Sequence, residues 1–157
     1  MPEQVNGFSQ VHVSGTGGGP KYGNILVMPF GKGMDQLNHI DYRKDETIRL
    51  GYYATEFQRT GIYTEITTAP RASFYRFTYP EDSLKSLLVD AGFFLGEQPT
   101  PDAREAQQFV GSEIQIISDH EVMGYTRIRG GWNNGRAYTV YFYAVTAVSY
   151  THLTLPT

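Results

Sequence analysis

Apolar and polar residues alternate along most of this chain, in short runs divided by glycine and proline. In Tyr63-Thr64-Glu65-Ile66-Thr67 and Tyr125-Thr126-Arg127-Ile128-Arg129 the period is two, the spacing of a strand with one buried face. The pattern predicts strands over 8–13, 24–28, 52–58, 62–69, 71–79, 84–90, 112–118, 121–129 and 137–146. Arg59-Thr60-Gly61 separates two of these runs, and Pro80-Glu81-Asp82 and Pro99-Thr100-Pro101-Asp102 mark further breaks. The run Gly130-Gly131-Trp132-Asn133-Asn134-Gly135 offers residues that tolerate positive φ, as a hairpin loop requires.

One helix is predicted, over 102–109, with Asp102 as N-cap and Glu105 three residues on in the capping-box position. Residues 28–50 mix Gly, Asp, His and Lys without a clear period and read as a long excursion outside the core. Many short strands with almost no helix predict an all-β chain, a β-sandwich of antiparallel sheets with one short helix.

Composition agrees. With 40% hydrophobic and 18% charged residues the chain is globular, and its length suits one domain rather than two. Twelve tyrosines and nine phenylalanines favour a pleated, half-buried surface. A net charge of -3 leaves no basic footprint for nucleic acid. The absence of cysteine removes disulfides, thiolate metal sites and thiol nucleophiles. No apolar run reaches membrane-spanning length, and Met-Pro-Glu-Gln-Val-Asn-Gly-Phe is not a signal peptide, so any export signal is expected upstream of Met1.

Chemical motifs are sparse. Ser14-Gly15-Thr16-Gly17-Gly18-Gly19-Pro20 lacks the third glycine of a dinucleotide fingerprint, and Lys32 is followed by Gly33 rather than the Ser or Thr of a phosphate loop. A tight loop between strands, or a close backbone approach to a sugar or partner, remain the two readings. His12, His39, His120 and His152 form no metal-binding pair. Asp119-His120-Glu121 reads as a turn, and Asp41, Asp45 and Glu46 beside His39 read as solvated loop charges or a weak hard-cation site. Glycoside cleavage needs two opposed carboxyl groups. Glu65, Glu113 and Glu121 lie in strand runs, where salt-bridged structural roles compete with catalysis. Trp132 and the tyrosines could stack on sugar rings or fill the core.

Gly7-Phe8-Ser9-Gln10-Val11-His12-Val13-Ser14-Gly15-Thr16-Gly17, followed by Tyr22-Gly23-Asn24-Ile25-Leu26-Val27-Met28-Pro29, resembles the GFSHTHLSGTG…GDILVMP signature of glycoside hydrolase family 92. Gly51-Tyr52-Tyr53-Ala54-Thr55, Thr64-Glu65-Ile66-Thr67-Thr68-Ala69-Pro70-Arg71, Phe74-Tyr75-Arg76-Phe77-Thr78-Tyr79-Pro80 and Ser118-Asp119-His120-Glu121-Val122-Met123-Gly124-Tyr125 resemble its later elements in order. Trp132 and Val140-Tyr141-Phe142 complete the series.

The resemblance implies the N-terminal β-sandwich of a larger two-domain enzyme, an inverting, calcium-dependent exo-α-mannosidase acting on mannose-containing glycans. It implies that the acid, the base and most calcium ligands belong to an (α/α) barrel that follows, so the chain alone is expected to be inactive. It also implies a secreted, periplasmic or cell-surface bacterial enzyme. By the same resemblance His12, Ser14, Thr16 and Gly17 are the expected substrate-binding residues, with no catalytic or metal-binding residue in this chain. Gln10 departs from the signature histidine. The competing readings are a free-standing carbohydrate-binding module, suggested by the aromatic richness, and a structural or adhesive sandwich. Residues 1–146 are the expected, incomplete N-terminal domain. Residues 147–157, ending Thr151-His152-Leu153-Thr154-Leu155-Pro156-Thr157, lack turn logic and resemble translated adapter sequence, a non-native tail.

Overall fold

The computed structural model describes residues 3–12, 22–35, 37–96, 106–131 and 135–148. Within them the chain is all-β. The strands are β1 (Gln4–Val5), β2 (Phe8–Gln10), β3 (Asn24–Phe30), β4 (Asp41–Arg49), β5 (Tyr52–Phe57), β6 (Tyr63–Ala69), β7 (Ala72–Thr78), β8 (Ser86–Phe94), β9 (Gln107–Ser118), β10 (Glu121–Gly130) and β11 (Tyr138–Val145). They form a five-stranded sheet ordered β1-β4-β5-β6-β7 and two three-stranded sheets, β11-β10-β9 and β2-β3-β8. The fold class is the predicted antiparallel β-sandwich type.

Every predicted strand is present, most within a few residues of its predicted ends. Three local expectations change. Part of the supposed excursion over 28–50 is strand β4, and its first residue, Asp41, is fully buried. The run Asp41-Tyr-Arg-Lys-Asp-Glu-Thr-Ile-Arg49 hides its period under charge, and a register shift between Lys44 and Thr47, with Asp45 at φ 52°, breaks the alternation. Strand β1 is too short to leave a pattern. The predicted helix fails over its last residues, because Gln107–Phe109 belong to β9, where Gln108 pairs with Arg129 and Phe109 with Ile128. Tertiary pairing overrides a local capping signal there. Residues 102–105 lie outside the described set.

The chain divides into two compact units. Unit 1 comprises Met1–Phe8 and Val27–Leu88, and unit 2 comprises Ser9–Leu26 and Val89–Thr157. The core of unit 1 gathers on Phe57, Met28, Ile62 and Ala54, all fully buried. Phe8 stacks on Phe57 at 6.3 Å and meets Tyr53 edge-on at 6.0 Å. Burial of each large side chain contributes about 1.5–3 kcal/mol. A carboxylate stands beside this core. Asp41 Oδ1 accepts the backbone N–H groups of Tyr42 (2.7 Å) and Arg59 (2.8 Å), and Oδ2 accepts the N–H (3.2 Å) and hydroxyl (2.8 Å) of Thr60. Asp41 therefore ties the start of β4 to the β5–β6 turn, where Gly61 takes φ 67°.

Unit 2 is built on the hairpins of β9, β10 and β11. Val122, Thr126 and Ile128 of β10 are buried, while the intervening Met123, Arg127 and Arg129 are exposed. Gly124 is required at its position. A Cβ there would lie 2.1 Å from the Glu113 carbonyl oxygen across the ladder and 2.7 Å from the Phe142 ring.

Candidate functional site

In sequence the Gly-rich run lies between two described residues of unit 2 that have unusual backbone conformations. Val11 stands at φ 54° before it and Tyr22 at φ 67° after it. A β-branched residue at positive φ is strained by crowding of its Cβ against the carbonyl, and such residues gather at functional sites. Next to Val11, the His12 ring turns back on Ser9. Its Nε2 lies 2.7 Å from the Ser9 carbonyl oxygen and 3.0 Å from Ser9 Oγ. A carbonyl only accepts, so Nε2 carries the hydrogen and Nδ1 is left as the acceptor of the ring. Ser9 also sits against Gly23, where an added Cβ would lie 2.9 Å from Ser9 Oγ and 2.4 Å from Leu95 Cδ1. Leu95 N–H donates to the Gly23 carbonyl at 3.0 Å.

From Tyr22 a polar chain runs inward. The Tyr22 N–H donates to Gln107 Oε1 at 3.4 Å, Gln107 Nε2 donates to the Tyr138 hydroxyl at 3.4 Å, and that hydroxyl donates to Asn24 Oδ1 at 3.2 Å. Asn24 and Gln107 are buried, and Asn24 Nδ2 has no hydrogen-bond partner among the described residues. The Tyr22 and Tyr138 rings meet edge-on at 5.6 Å. Gly131 lies against Tyr22 so closely that a Cβ would stand 2.5 Å from the Tyr22 hydroxyl. Gly131 N–H donates to the Ala106 carbonyl at 3.2 Å. Thus Tyr22, Ala106 and Gly131 are gathered at one place in unit 2. In sequence they border the Gly-rich run, the segment before β9 and Trp132.

Among the expected substrate-binding residues, His12 is described and exposed beside Ser9, whereas Ser14, Thr16 and Gly17 lie outside the described residues, as does Trp132. Two of the three candidate carboxylates, Glu65 and Glu121, are shifted away from what a catalytic acid needs. Glu65 receives the Arg76 guanidinium through Nε (2.5 Å) and Nη2 (2.6 Å) and the Tyr52 hydroxyl at 2.9 Å. Arg76 first, then Tyr52, holds its carboxyl below the ordinary range. Glu121 accepts the hydroxyls of Tyr143 and of Ser118 (3.1 Å), which lower its pKa in that order. A general acid needs the opposite shift. Glu113 is exposed in β9 opposite Tyr125.

The hard-cation reading of 39–46 is also corrected. Both oxygens of Asp41 are occupied by protein donors, and Glu46 is taken by Arg43 (2.8 Å) and the Tyr53 hydroxyl (2.6 Å). Asp119 and His120 form the predicted turn, in which His120 Nδ1 lies 3.1 Å from the Thr146 carbonyl oxygen. Among the described residues no group of three or more His, Asp or Glu could hold a metal ion, so the calcium that the resemblance implies finds no ligand set there.

The buried Tyr22–Gln107–Tyr138–Asn24 chain had no signal in the sequence, since Tyr22 and Gln107 stand 85 positions apart and only folding joins them.

Residues 2–155 match the description of the glycosyl hydrolase family 92 N-terminal domain. This chain belongs to glycoside hydrolase family 92. It is similar to the family 92 α-mannosidase of Bacteroides thetaiotaomicron, with 28% identity, a TM-score of 0.78 and 94% of this chain covered, in the structure with mannoimidazole and in the structure without it. It is also similar, at 33% identity over 92 residues and 52% of its length, to an uncharacterized secreted glycosidase of Arthroderma benhamiae. The chain spans 19–20% of the solved α-mannosidase and 12% of the fungal protein. No helix among the described residues of this family 92 domain is long and apolar enough to cross a membrane.

Proposed function

We propose that this family 92 domain supports the catalytic part of an exported, inverting, calcium-dependent α-mannosidase acting on mannose-containing glycans. The observation that carries the proposal is the gathering of Tyr22, Ala106 and Gly131 in unit 2, which brings the border of the Gly-rich signature to the border of Trp132. On this reading His12, Ser14, Thr16 and Gly17 line one wall of the substrate pocket, and the Nδ1 acceptor of His12 meets a sugar hydroxyl. Acid, base and calcium ligands are assigned to polypeptide beyond these residues. Two observations support that assignment: Glu65 and Glu121 are engaged by protein donors that shift their carboxyls downward, the wrong direction for the acid, and the chain matches one fifth of a solved α-mannosidase. In the inverting reaction one carboxylic acid protonates the leaving oxygen while a carboxylate activates water on the opposite face.

The test is an assay of α-mannosides with this chain and calcium, beside the longer gene product that contains it. The chain alone is expected to give no turnover. The longer product is expected to release mannose with inverted anomeric configuration, to lose activity on chelation, and to lose kcat/KM in His12→Ala. Turnover by the chain alone would overturn the division of labour.

A further inference from the structure

Tyr138 stands in the middle of the polar chain that starts from Tyr22. Its hydroxyl uses both of its roles, accepting Gln107 Nε2 at 3.4 Å and donating to Asn24 Oδ1 at 3.2 Å. Burial raises the pKa of that hydroxyl, so it keeps its proton and remains a donor. The Tyr138 ring lies edge-on against Tyr22 at 5.6 Å, and the Gln107 amide that its hydroxyl steadies accepts the Tyr22 N–H at 3.4 Å. One side chain thus reaches Tyr22 twice, through its ring and through Gln107.

Tyr22 needs such support. At φ 67° a residue with a Cβ is strained, and the conformation persists only where its surroundings over-determine it. On the other side the Tyr22 ring has no slack. Gly131, itself at φ 71°, sits where a Cβ would lie 2.5 Å from the Tyr22 hydroxyl oxygen and 2.9 Å from Cζ. Tyr22 is therefore clamped between Tyr138 and the Gly131 backbone, which donates to the Ala106 carbonyl at 3.2 Å. Packing alone does not call for polar atoms here. Apolar side chains of the same shape would fill the space without burying Asn24, whose Nδ2 finds no partner among the described residues. A hydrogen-bonded network kept at that cost fixes orientation, which apolar contact does not.

We infer that Tyr138 is a positioning residue: held between Asn24 and Gln107, it sets Tyr22 against Gly131 and so fixes the start of β3 and the end of β10 beside the proposed substrate wall. It acts through Tyr22 rather than on a substrate. Its effect on mannoside binding rests on the function proposed above. Its coupling to Tyr22 and Gly131 does not.

The experiment uses the longer gene product, assayed on an α-mannoside. Tyr138→Phe keeps the ring and removes the hydroxyl; it should raise KM roughly tenfold, the scale of one buried hydrogen bond, with kcat within about twofold of the parent. Tyr79→Phe removes a hydroxyl that donates to the Ser86 carbonyl in unit 1, so it reports the effect of lost stability alone and should leave KM unchanged. Adding Asn24→Leu to Tyr138→Phe should raise KM no further, because both changes break one network. Should Tyr138→Phe fail to fold, Gly131→Ala displaces Tyr22 from the other side and should raise KM in the same way. Hydrogen exchange read by mass spectrometry on the same proteins should quicken in the peptides carrying Tyr22 and Gly131 in Tyr138→Phe, and not in Tyr79→Phe. A parent product that releases no mannose would sink the mannosidase reading, and quicker exchange at Tyr22 and Gly131 would still uphold the coupling. Unchanged exchange at both residues, an unchanged KM in Tyr138→Phe and Gly131→Ala, or a KM that rises equally in Tyr79→Phe would each overturn the inference.

Discussion

Removing the Asp41 carboxylate tests the account of unit 1 most directly. The group is fully buried and accepts four protein donors, and no cation stands among these partners. Asp41→Ala leaves the N–H groups of Tyr42, Arg59 and Thr60 without an acceptor, while the Thr60 hydroxyl can rotate to another. A buried donor left unpaired costs about 1–3 kcal/mol. If two of the three backbone groups stay dry, the loss is about 2–6 kcal/mol, a large share of the roughly 5–15 kcal/mol that holds a domain together. Asp41→Asn keeps the shape and one acceptor oxygen. With Oδ1 on Tyr42 and Arg59 and the new amide on the Thr60 hydroxyl, only the Thr60 N–H is orphaned, and the expected loss is about 1–3 kcal/mol. Urea unfolding gives the two losses from the midpoints, provided the slope is unchanged. Amide exchange supplies a local check, because Arg59 and Thr60 should be protected in the parent chain and exposed in Asp41→Ala. An alanine variant within about 1 kcal/mol of the parent would refute the reasoning, since it would mean those donors find water without cost.

Three further outcomes follow from the structure. Glu65 has a folded pKa below the ordinary 4.5, so the stability it contributes is present above that value and lost as pH falls through the folded one; Glu65→Gln should flatten acid unfolding in that window, read by circular dichroism. Tyr52, hydrogen-bonded to Glu65, Tyr53, desolvated beside Glu46, and Tyr79, buried, are each pushed up from 10 to about 12. Their neutral forms stabilise the fold below pH 10, and that contribution is lost as pH rises toward 12; an absorbance titration should show a late-ionising tyrosine class that merges with the rest only when the chain unfolds. Gly124→Val should abolish soluble expression or cost more than the about 1–3 kcal/mol typical of overpacking, because the new Cβ meets backbone of β9; thermal unfolding close to that of the parent would contradict the register.

Strand positions were readable wherever one face meets apolar neighbours and the other meets water. Tyr63–Ala69 and Glu121–Gly130 declare themselves by alternation, and glycines at positive φ mark their turns. Strand β4 was hidden because its side chains are mostly charged and its one deeply buried group is itself a carboxylate. The 102–109 run carried a helix signal that is strictly local, and a ladder with Arg129 and Ile128 outweighs it at Gln107–Phe109. Family membership was legible too, since ordered motifs survive in sequence whatever the fold does with them.

Composition and period alone determine that this chain is rich in strands, carries a net negative charge and holds no thiol chemistry, because those properties depend on each residue and its near neighbours. Which carboxylates are neutralised, which tyrosines stay on the surface and which strand ends meet at Tyr22, Ala106 and Gly131 are decided by long-range pairing. A hydrogen bond between residues 85 positions apart has no local cause, so it exists only once the sheets have formed.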